Sequence, residues 1–300
     1  MSNISKIIIP TAAAAMLATS APTFAEGLEG FYANVRIGIQ FTDPGDGVES
    51  DTTIESFASR IGYNTETDLG NGLTAFGRLE FQIDAEDSDA DAETGVRDTT
   101  KIRLGYVGLK GDFGSLRIGQ DYHTFYSYTV APVDIPWWHS GYNMLGYVGR
   151  TGDALTYTKT IGGFSFGATA YLESDDADDG VEIGASYNFG PIQIAAASRD
   201  LDGFADALTA FTVTGQAGGV SLGATFQDQG DSDSVEANIS YGNFYVQLGE
   251  ANDIAATTLG YTLNIGPKTL MWFELFKQEA GADAVDDDFT AIATLKYNIF

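Results

Sequence analysis

The chain has 300 residues, no cysteine, and 42 acidic against 15 basic residues, for a formal charge of −27. The absence of cysteine excludes disulfides and thiolate metal ligands. The acidity argues against a nucleic-acid partner, because contacts with phosphates require an excess of Lys and Arg. The sequence is also rich in glycine and aromatic residues, with 36 Gly, 19 Phe and 15 Tyr.

The first 25 residues have the composition of a secretory signal peptide. Lys6 provides a positive start, an apolar run follows, and "TFA" ends at Ala25. A charge, an apolar segment and a small residue in this order are typical of a cleaved signal. The apolar run is too short to cross about 30 Å of hydrocarbon. We therefore predict a signal peptide at 1–25 and a mature chain at 26–300, with charge 14 − 42 = −28.

Apolar and polar residues alternate through most of the remaining sequence, which is the pattern of β-strands with two different faces. No run approaches the roughly 20 apolar residues of a transmembrane helix. The alternation predicts 16 strands, an even number that returns both termini to the same side of a closed antiparallel barrel. The predicted spans are 31–41, 54–65, 73–84, 99–110, 114–120, 152–160, 164–173, 180–189, 191–200, 208–217, 220–229, 233–241, 244–250, 255–264, 269–278 and 289–300.

The connections between these strands alternate between two kinds. Short glycine-containing connections, such as "GDFG" at 111–114 and "AGG" at 217–219, predict tight turns. Longer acidic connections, such as 84–95 and 227–234, predict loops. Short turns at one end and long loops at the other are typical of a transmembrane barrel. A soluble β-sandwich is the alternative, but the polar faces here carry Arg, Glu, Asn, Ser and Gly, which favours a water-filled interior.

The longest interruption of the alternation runs from 121 to 149. Its first part, "DYHTFYSYTVAPVDIPWWHSGYNM", contains both histidines, two of the three tryptophans and two of the seven prolines. Two prolines and many aromatic residues argue against disorder. A loop of this length without a strand pattern is generally functional.

Basic residues follow the polar faces of the early strands. One arginine comes from each of the first five predicted strands, and one lysine joins them. In a soluble protein such a row is a solvated face, whereas in a membrane barrel the polar face is the lumen. The row consists of Arg36, Arg60, Arg78, Lys101, Arg103 and Arg117.

These features together resemble the general bacterial porins. The resemblance rests on "LEGFYANVRIGIQF" after the signal peptide, "GDFGSLRIGQ" before the long interruption, "IGGFSFGATAYL" after it, and the terminal strand "ATLKYNIF". It covers the whole mature chain. It implies an all-β fold: a 16-stranded antiparallel transmembrane β-barrel in the Gram-negative outer membrane, with an infolded constriction loop at 121–149. It also implies a homotrimer in contact with outer-membrane lipid and lipopolysaccharide.

The resemblance further implies a site. The basic row would line the pore constriction opposite Asp121 and Asp134, because opposed charges across a narrow water path produce a transverse field. Glu80, Glu182 and Glu236 are further lumen candidates. The aromatic side chains expected to pack the constriction loop against the wall are Trp137, Trp138, Tyr126 and Tyr142.

The expected function is passive diffusion of small hydrophilic solutes and ions, with no cofactor. The arginines attract anions inside the lumen, while the acidic excess attracts cations at the mouth. We expect weak cation selectivity. The alternative is a solute-specific channel in which Trp137 and Trp138 form a stacking platform for a sugar or an aromatic ligand.

Two other chemistries are weaker alternatives. A hydrolase barrel would need a histidine base, and His123 and His139 are the only histidines, but no G-x-S-x-G motif accompanies them. A calcium site is suggested by "DSDADAETGVRD" at 87–98, with Asp87, Asp89 and Asp91 at the first, third and fifth positions. Ala92 and Asp98 replace the Gly and Glu of a calcium loop, so a solvated acidic rim is the favoured interpretation.

Overall fold

The computed structural model describes residues 29–45, 47–84, 100–139, 144–145, 150–172, 179–279 and 288–300. The predicted signal peptide lies outside them. All the strand segments belong to one continuous ring of pairings. The first nine segments are β1 (Phe31–Asp43), β2 (Asp51–Ser56), β3 (Ser59–Gly70), β4 (Leu73–Ile83), β5 (Thr100–Gly111), β6 (Gly114–Tyr122), β7 (Arg150–Thr151), β8 (Ala154–Ile161) and β9 (Phe164–Tyr171). The others are β10 (Gly180–Asn188), β11 (Ile192–Leu201), β12 (Leu208–Ala217), β13 (Val220–Gln229), β14 (Ser232–Tyr241), β15 (Phe244–Ala251), β16 (Ile254–Gly266), β17 (Thr269–Gln278) and β18 (Asp288–Asn298).

These 18 segments occupy 16 strand positions around the barrel. The segments β2 and β3 both pair with β1, and they are separated by Phe57 and by Ala58, whose φ is +56°. The segments β7 and β8 likewise both pair with β6. All neighbours are antiparallel, and the pairing of β1 with β18 closes the ring. The closed 16-strand barrel confirms the predicted fold class.

The alternation of residue types sets the two faces of the barrel. On β1, Val35 and Ile37 are 36% and 37% exposed on the outside, whereas Arg36 between them points inward and is only 8% exposed. The same arrangement recurs on other strands, with apolar side chains outside and charged or polar side chains inside. This is the reverse of a soluble sandwich and matches a barrel surrounded by hydrocarbon. In the part of the chain that the structure describes, no helical stretch has the length and apolar character needed to cross a membrane.

Turns and loops occupy opposite ends of the barrel, with two departures from the prediction. The acidic stretch 227–234 is not a loop: β13 reaches Gln229, β14 begins at Ser232, and Gly230 supplies the positive φ, +64°, that the tight turn requires. At the same end, Asn252 and Asp253 form another two-residue turn, both with positive φ. Acidic composition therefore indicates which end a connection lies on, but it does not indicate the length of that connection.

The chain after β6 turns into the barrel. It contains one π-helical turn, Tyr126–Val130. We call residues 123–139 the infolded segment. Its buried side chains Phe125, Val130 and Val133 pack against Leu208 and Ala210, which belong to the inner face of β12. The largest apolar cluster therefore lies inside the barrel, where the infolded segment meets the wall.

Candidate functional site

Guanidinium groups from three neighbouring strands surround one buried carboxylate, that of Glu80. The Nε of Arg103 on β5 lies 2.9 Å from Glu80 Oε1, and Arg78 Nη2 lies 2.9 Å from Oε2. The Nε of Arg60 on β3 lies 4.0 Å away. Glu80 is 1% exposed. A buried carboxylate is stable only when it is paired and hydrogen-bonded, and this one is.

A tyrosine completes the coordination of Glu80. The hydroxyl of Tyr32 donates to Glu80 Oε2 at 2.6 Å and accepts from Arg78 Nε at 2.9 Å. Period-two alternation placed Glu80 on the lumen side, but only the register between β3, β4 and β5 brings three arginines to it. Glu80 is therefore the centre of the cluster rather than one more lumen residue.

Other cations on the same side have different partners. Arg36 Nε donates to Asn34 Oδ1 at 2.8 Å, and its guanidinium carbon lies 5.6 Å from the Trp137 ring centre. Lys296 Nζ lies 5.3 Å from the same ring centre. Among the described residues, Glu80 is the only carboxylate within 4.0 Å of this group of cations, so the wall carries a positive excess. We call Arg36, Arg60, Arg78, Arg103 and Lys296 the basic wall.

Lys296 was missing from the predicted row, although its alternation with Leu295 and Tyr297 places it on the lumen face. The other two predicted cations lie away from Glu80. Lys101 has a 62% exposed side chain 3.9 Å from Asp84. Arg117 Nε pairs with Asp121 Oδ2 at 2.7 Å, four residues along the chain.

The infolded segment is attached to the inner wall by regularly spaced hydrogen bonds. The Phe125 amide donates to Glu182 Oε2 on β10 at 2.7 Å. The Thr212 hydroxyl on β12 donates to the Thr129 carbonyl at 2.7 Å. The Asn238 amide on β14 donates to the Val133 carbonyl at 2.7 Å. The segment therefore runs around the inside of the barrel, one attachment on every second strand.

Glu274 on β17 holds the far end of this segment. Its carboxylate accepts hydrogen bonds from three successive amides, those of Trp137 at 2.5 Å, Trp138 at 3.1 Å and His139 at 3.2 Å. The Tyr245 hydroxyl donates to it at 2.6 Å. Hydrogen bonds to an ionised acceptor are stronger than neutral ones. The alternation in "MWFELF" places Glu274 inside, but nothing in the sequence connects it with residues 137–139.

The predicted packing aromatics lie at separate contacts. Trp137 stacks on Trp272 with ring centres 4.7 Å apart, whereas Trp138 packs edge-on against Phe57 at 4.6 Å. The two indoles therefore do not form one continuous platform. The Tyr126 hydroxyl donates to Asp134 Oδ2 at 2.7 Å. Tyr142 lies outside the described residues.

Both histidines take part in attaching the infolded segment. His123 is fully buried, and its Nε2 lies 2.8 Å from the Thr151 amide. Burial lowers the pKa of His123 to about 4, which keeps the ring neutral. His139 stacks on Phe276 with ring centres 4.2 Å apart. Within the described residues, no group of three His, Asp or Glu side chains is arranged to hold a metal ion. The candidate calcium residues Asp87, Asp89 and Asp91 lie outside them.

A cavity of about 800 Å³ lies between the infolded segment and the short-turn end of the barrel. Its ceiling includes Tyr128, Ile135 and Trp137. Its wall includes serine, threonine, asparagine and glutamine side chains from the middle strands, with apolar residues such as Ile192 and Phe244 among them. None of the described residues that line it is charged.

Comparison with known proteins agrees with this geometry. A family model described as Gram-negative porin matches residues 11–298. Outer membrane porin F of Escherichia coli K12 is 28% identical over 209 residues, which cover 62% of this chain and 55% of that protein. Outer membrane porin F of Salmonella typhimurium LT2 is 26% identical over 229 residues, covering 67% of this chain and 61% of the relative. The chain thus spans little more than half the length of these curated relatives.

Solved structures are similar over a larger share of the chain. Salmonella typhi OmpF, in complex with daunomycin, superposes with a TM-score of 0.74 at 19% identity, covering 90% of this chain and 97% of the other. An anion-selective porin from Comamonas acidovorans gives a TM-score of 0.70 at 17% identity, covering 90% and 98%. At these identities the similarity shows the fold.

Proposed function

Because the chain belongs to the Gram-negative porin family, we propose that it is a water-filled channel through which small hydrophilic solutes and ions diffuse across the outer membrane. The proposal depends on the observed structure of the lumen. A polar interior is narrowed by a segment attached to one side, and the basic wall lies on another. Charged rings at such a narrowing set ion selectivity.

The constriction assignment is tested by conductance. We propose that the basic wall, with Arg117, Lys101, Asp121 and Asp134 as further lining residues, determines which ions pass. The protein is reconstituted in a planar bilayer under a salt gradient, and the reversal potential of Arg60→Gln/Arg78→Gln is compared with that of the parent. We expect a shift towards cations. Lys159→Gln is the control, because Lys159 lies two residues before the exposed Ile161 on β8 and shares its outer face. An unchanged reversal potential in the double variant would remove the assignment.

We propose weak cation selectivity for the intact channel, since the mature sequence carries a charge of −28. Charges at the mouth act over about 10 Å at 0.1 M salt but only about 3 Å at 1 M. Cation preference should therefore be largest in dilute salt and decline as salt is added. A reversal potential with the anion sign at 0.1 M salt would show that the basic wall dominates instead.

We propose a homotrimer, with lipid and lipopolysaccharide covering the apolar outer band. Support comes from a similar structure, a trimer form of Vibrio cholerae OmpT with a TM-score of 0.66 and 16% identity. Cross-linking in mild detergent, combined with light scattering, measures the assembly. Three linked chains and conductance steps in multiples of three support the trimer, and a monodisperse single chain contradicts it.

We propose that the channel performs no chemical step and holds no resident cofactor. Both histidines are engaged in packing the infolded segment, and the acidic stretch with Asp87, Asp89 and Asp91 is best explained as a hydrated rim. Conductance and unfolding temperature should be the same in EDTA and in millimolar calcium. Ester hydrolysis that is abolished by His139→Ala would contradict the first half of this proposal, and calcium-dependent stability would contradict the second.

A further inference from the structure

The lumen has a second wall whose chemistry differs from that of the basic wall. The chain carries 42 acidic and 15 basic residues. None of the described residues lining the cavity below the infolded segment is among them. Because the alternating pattern could place a charge at any of these inward positions, the uncharged surface is a distinct feature of this side.

The polar side chains of this surface form a row across adjacent strands. Asn188 on β10 lies opposite Gln193 on β11, which lies opposite Thr214 on β12. The row continues through Gly223 to Asn238 on β14. Adjacent strands are about 4.8 Å apart, so the row presents a hydrogen-bonding group at almost every strand. We call Ser186, Asn188, Gln193, Thr214, Gln216 and Asn238 the neutral wall.

The neutral wall has unused hydrogen-bonding capacity. Among the described residues, the side-chain amides of Gln193 and Gln216 form no hydrogen bond with the protein, and both line the cavity. Each such amide offers two donors and an acceptor. Ser186 and Thr214 add hydroxyls that can act in either role.

Aromatic rings cover the cavity from above. Tyr128 sits over two glycines that are paired across β9 and β10, Gly167 and Gly184. A Cβ on either glycine would approach the Tyr128 ring to 3.0 Å, so the absence of side chains lets the ring lie close to the wall. Burial raises the pKa of Tyr128 to about 12, so its hydroxyl stays uncharged even in alkaline solution. Trp137 provides a second aromatic edge to the same cavity.

We propose that the neutral wall and its aromatic ceiling bind an uncharged polyhydroxylated solute, an oligosaccharide of about two or three sugar units, in transit through the channel. The cavity volume of about 800 Å³ falls in the range of ligand pockets. Amides and hydroxyls replace the solute's hydrogen bonds to water, and the rings contact its C–H faces. The inference rests on the proposed channel function.

The neutral wall does not offer the chemistry that binds an ion. An ion that leaves water needs an opposite charge or a metal-like set of ligands, and the described part of the neutral wall offers neither. The basic wall has the converse properties, because its donors are charged and three of its arginines already bind Glu80. Neutral solutes would therefore bind on one side of the lumen and charged solutes on the other, within one shared water path, so that a bound sugar obstructs the ion current.

Maltotriose is the probe for this inference. It is added to single channels in a planar bilayer at high salt, and the decrease in ion current is recorded against sugar concentration. We expect saturable block in the parent protein, weakened about fivefold in Gln193→Ala/Gln216→Ala, since each of the two lost hydrogen bonds accounts for roughly a twofold change at the lower end of their strength. Gln40→Ala is the matched control: Gln40 points into the lumen from β1 but does not line the cavity. Its block should equal that of the parent.

A second variant tests the same inference if the first variant does not fold. Gln193→Glu keeps the side-chain size, adds a charge to the neutral wall, and should weaken block by a similar factor. Equal block in the parent, both cavity variants and the control would overturn the inference while leaving the channel function intact. Absence of saturable block in a conducting parent would do the same. Absence of conductance in a folded barrel would instead remove the proposed function.

Discussion

The basic wall and the neutral wall arise from the same alternating pattern but differ in how their residues depend on one another. On the basic wall, Glu80 holds three arginines and a tyrosine, so removing one member leaves buried charges unpaired. On the neutral wall, Gln193 and Gln216 each face the cavity without a protein partner among the described residues. The effects of substitutions on unfolding free energy should therefore be large and coupled on the basic wall, and small and independent on the neutral wall.

The largest effect should come from the centre of the basic wall. Glu80→Gln leaves the guanidiniums of Arg60, Arg78 and Arg103 without a counter-charge, and breaking such a buried network costs roughly 3–5 kcal/mol. Urea unfolding of the barrel in lipid vesicles measures the loss. Glu66→Gln is the control, because Glu66 is paired with Lys110 but has a 60% exposed side chain. That control should cost less than about 1 kcal/mol. Equal losses of unfolding free energy in Glu80→Gln and Glu66→Gln would show that the three arginines do not depend on Glu80.

Acid should destabilise the attachment of the infolded segment through His123. The pKa of His123 is lowered to about 4 in the folded protein by burial, with Glu182 opposing and Arg199 and Arg117 reinforcing the shift. In the unfolded chain it titrates near 6.5. Between these values the unfolded state binds the proton first, so stability should fall by up to about 3 kcal/mol as the pH drops from about 6.5 to 4.

The measurement is urea unfolding at several pH values for the parent and for His123→Asn. The variant should lack the part of the acid sensitivity that lies between pH 6.5 and 4. An identical pH profile in both proteins would show that other groups, such as surface carboxylates, account for the acid sensitivity.

Glu274→Gln should weaken the other attachment point. A glutamine has one acceptor oxygen where the carboxylate accepts from three amides and the Tyr245 hydroxyl. We expect a loss of about 2 kcal/mol, together with flickering of the single-channel current as residues 137–139 move. Glu250→Gln on the exposed part of β15 is the control. A steady current in Glu274→Gln would show that the remaining hydrogen bonds to β10, β12 and β14 suffice.

The smallest effect should come from the neutral wall. Gln193→Ala and Gln216→Ala should each change unfolding free energy by less than about 0.5 kcal/mol, and their effects should add. The same vesicle unfolding assay measures both single variants and the double variant. A coupled loss above about 1 kcal/mol would mean that the two amides act as a structural pair, and the contrast between the walls would disappear.

Much of the barrel was predictable from the sequence. Alternation located 16 strand positions, the lumen side of Arg36 and Glu80, and the place where the chain leaves the wall. Other features carried no local signal. The predicted strand 54–65 ends too early, since the observed strand continues to Gly70. Glu66, Thr67 and Asp68 are polar on both faces of the strand, so no alternation of apolar and polar residues marks this part. The stretch 227–234 carries three aspartates and no apolar residue, yet its two halves pair across a turn of two residues.

The sequence alone determined which residues face outwards and inwards, because the side-chain period of a strand is local and is written in successive residues. Only the tertiary structure decided which inward residues meet. The carboxylate of Glu274 binds amides that precede it by 135 to 137 positions. Such contacts depend on strand register and on barrel closure, which bring together segments whose sequences carry no trace of each other. The separation of a charged wall from a neutral one is a result of that closure.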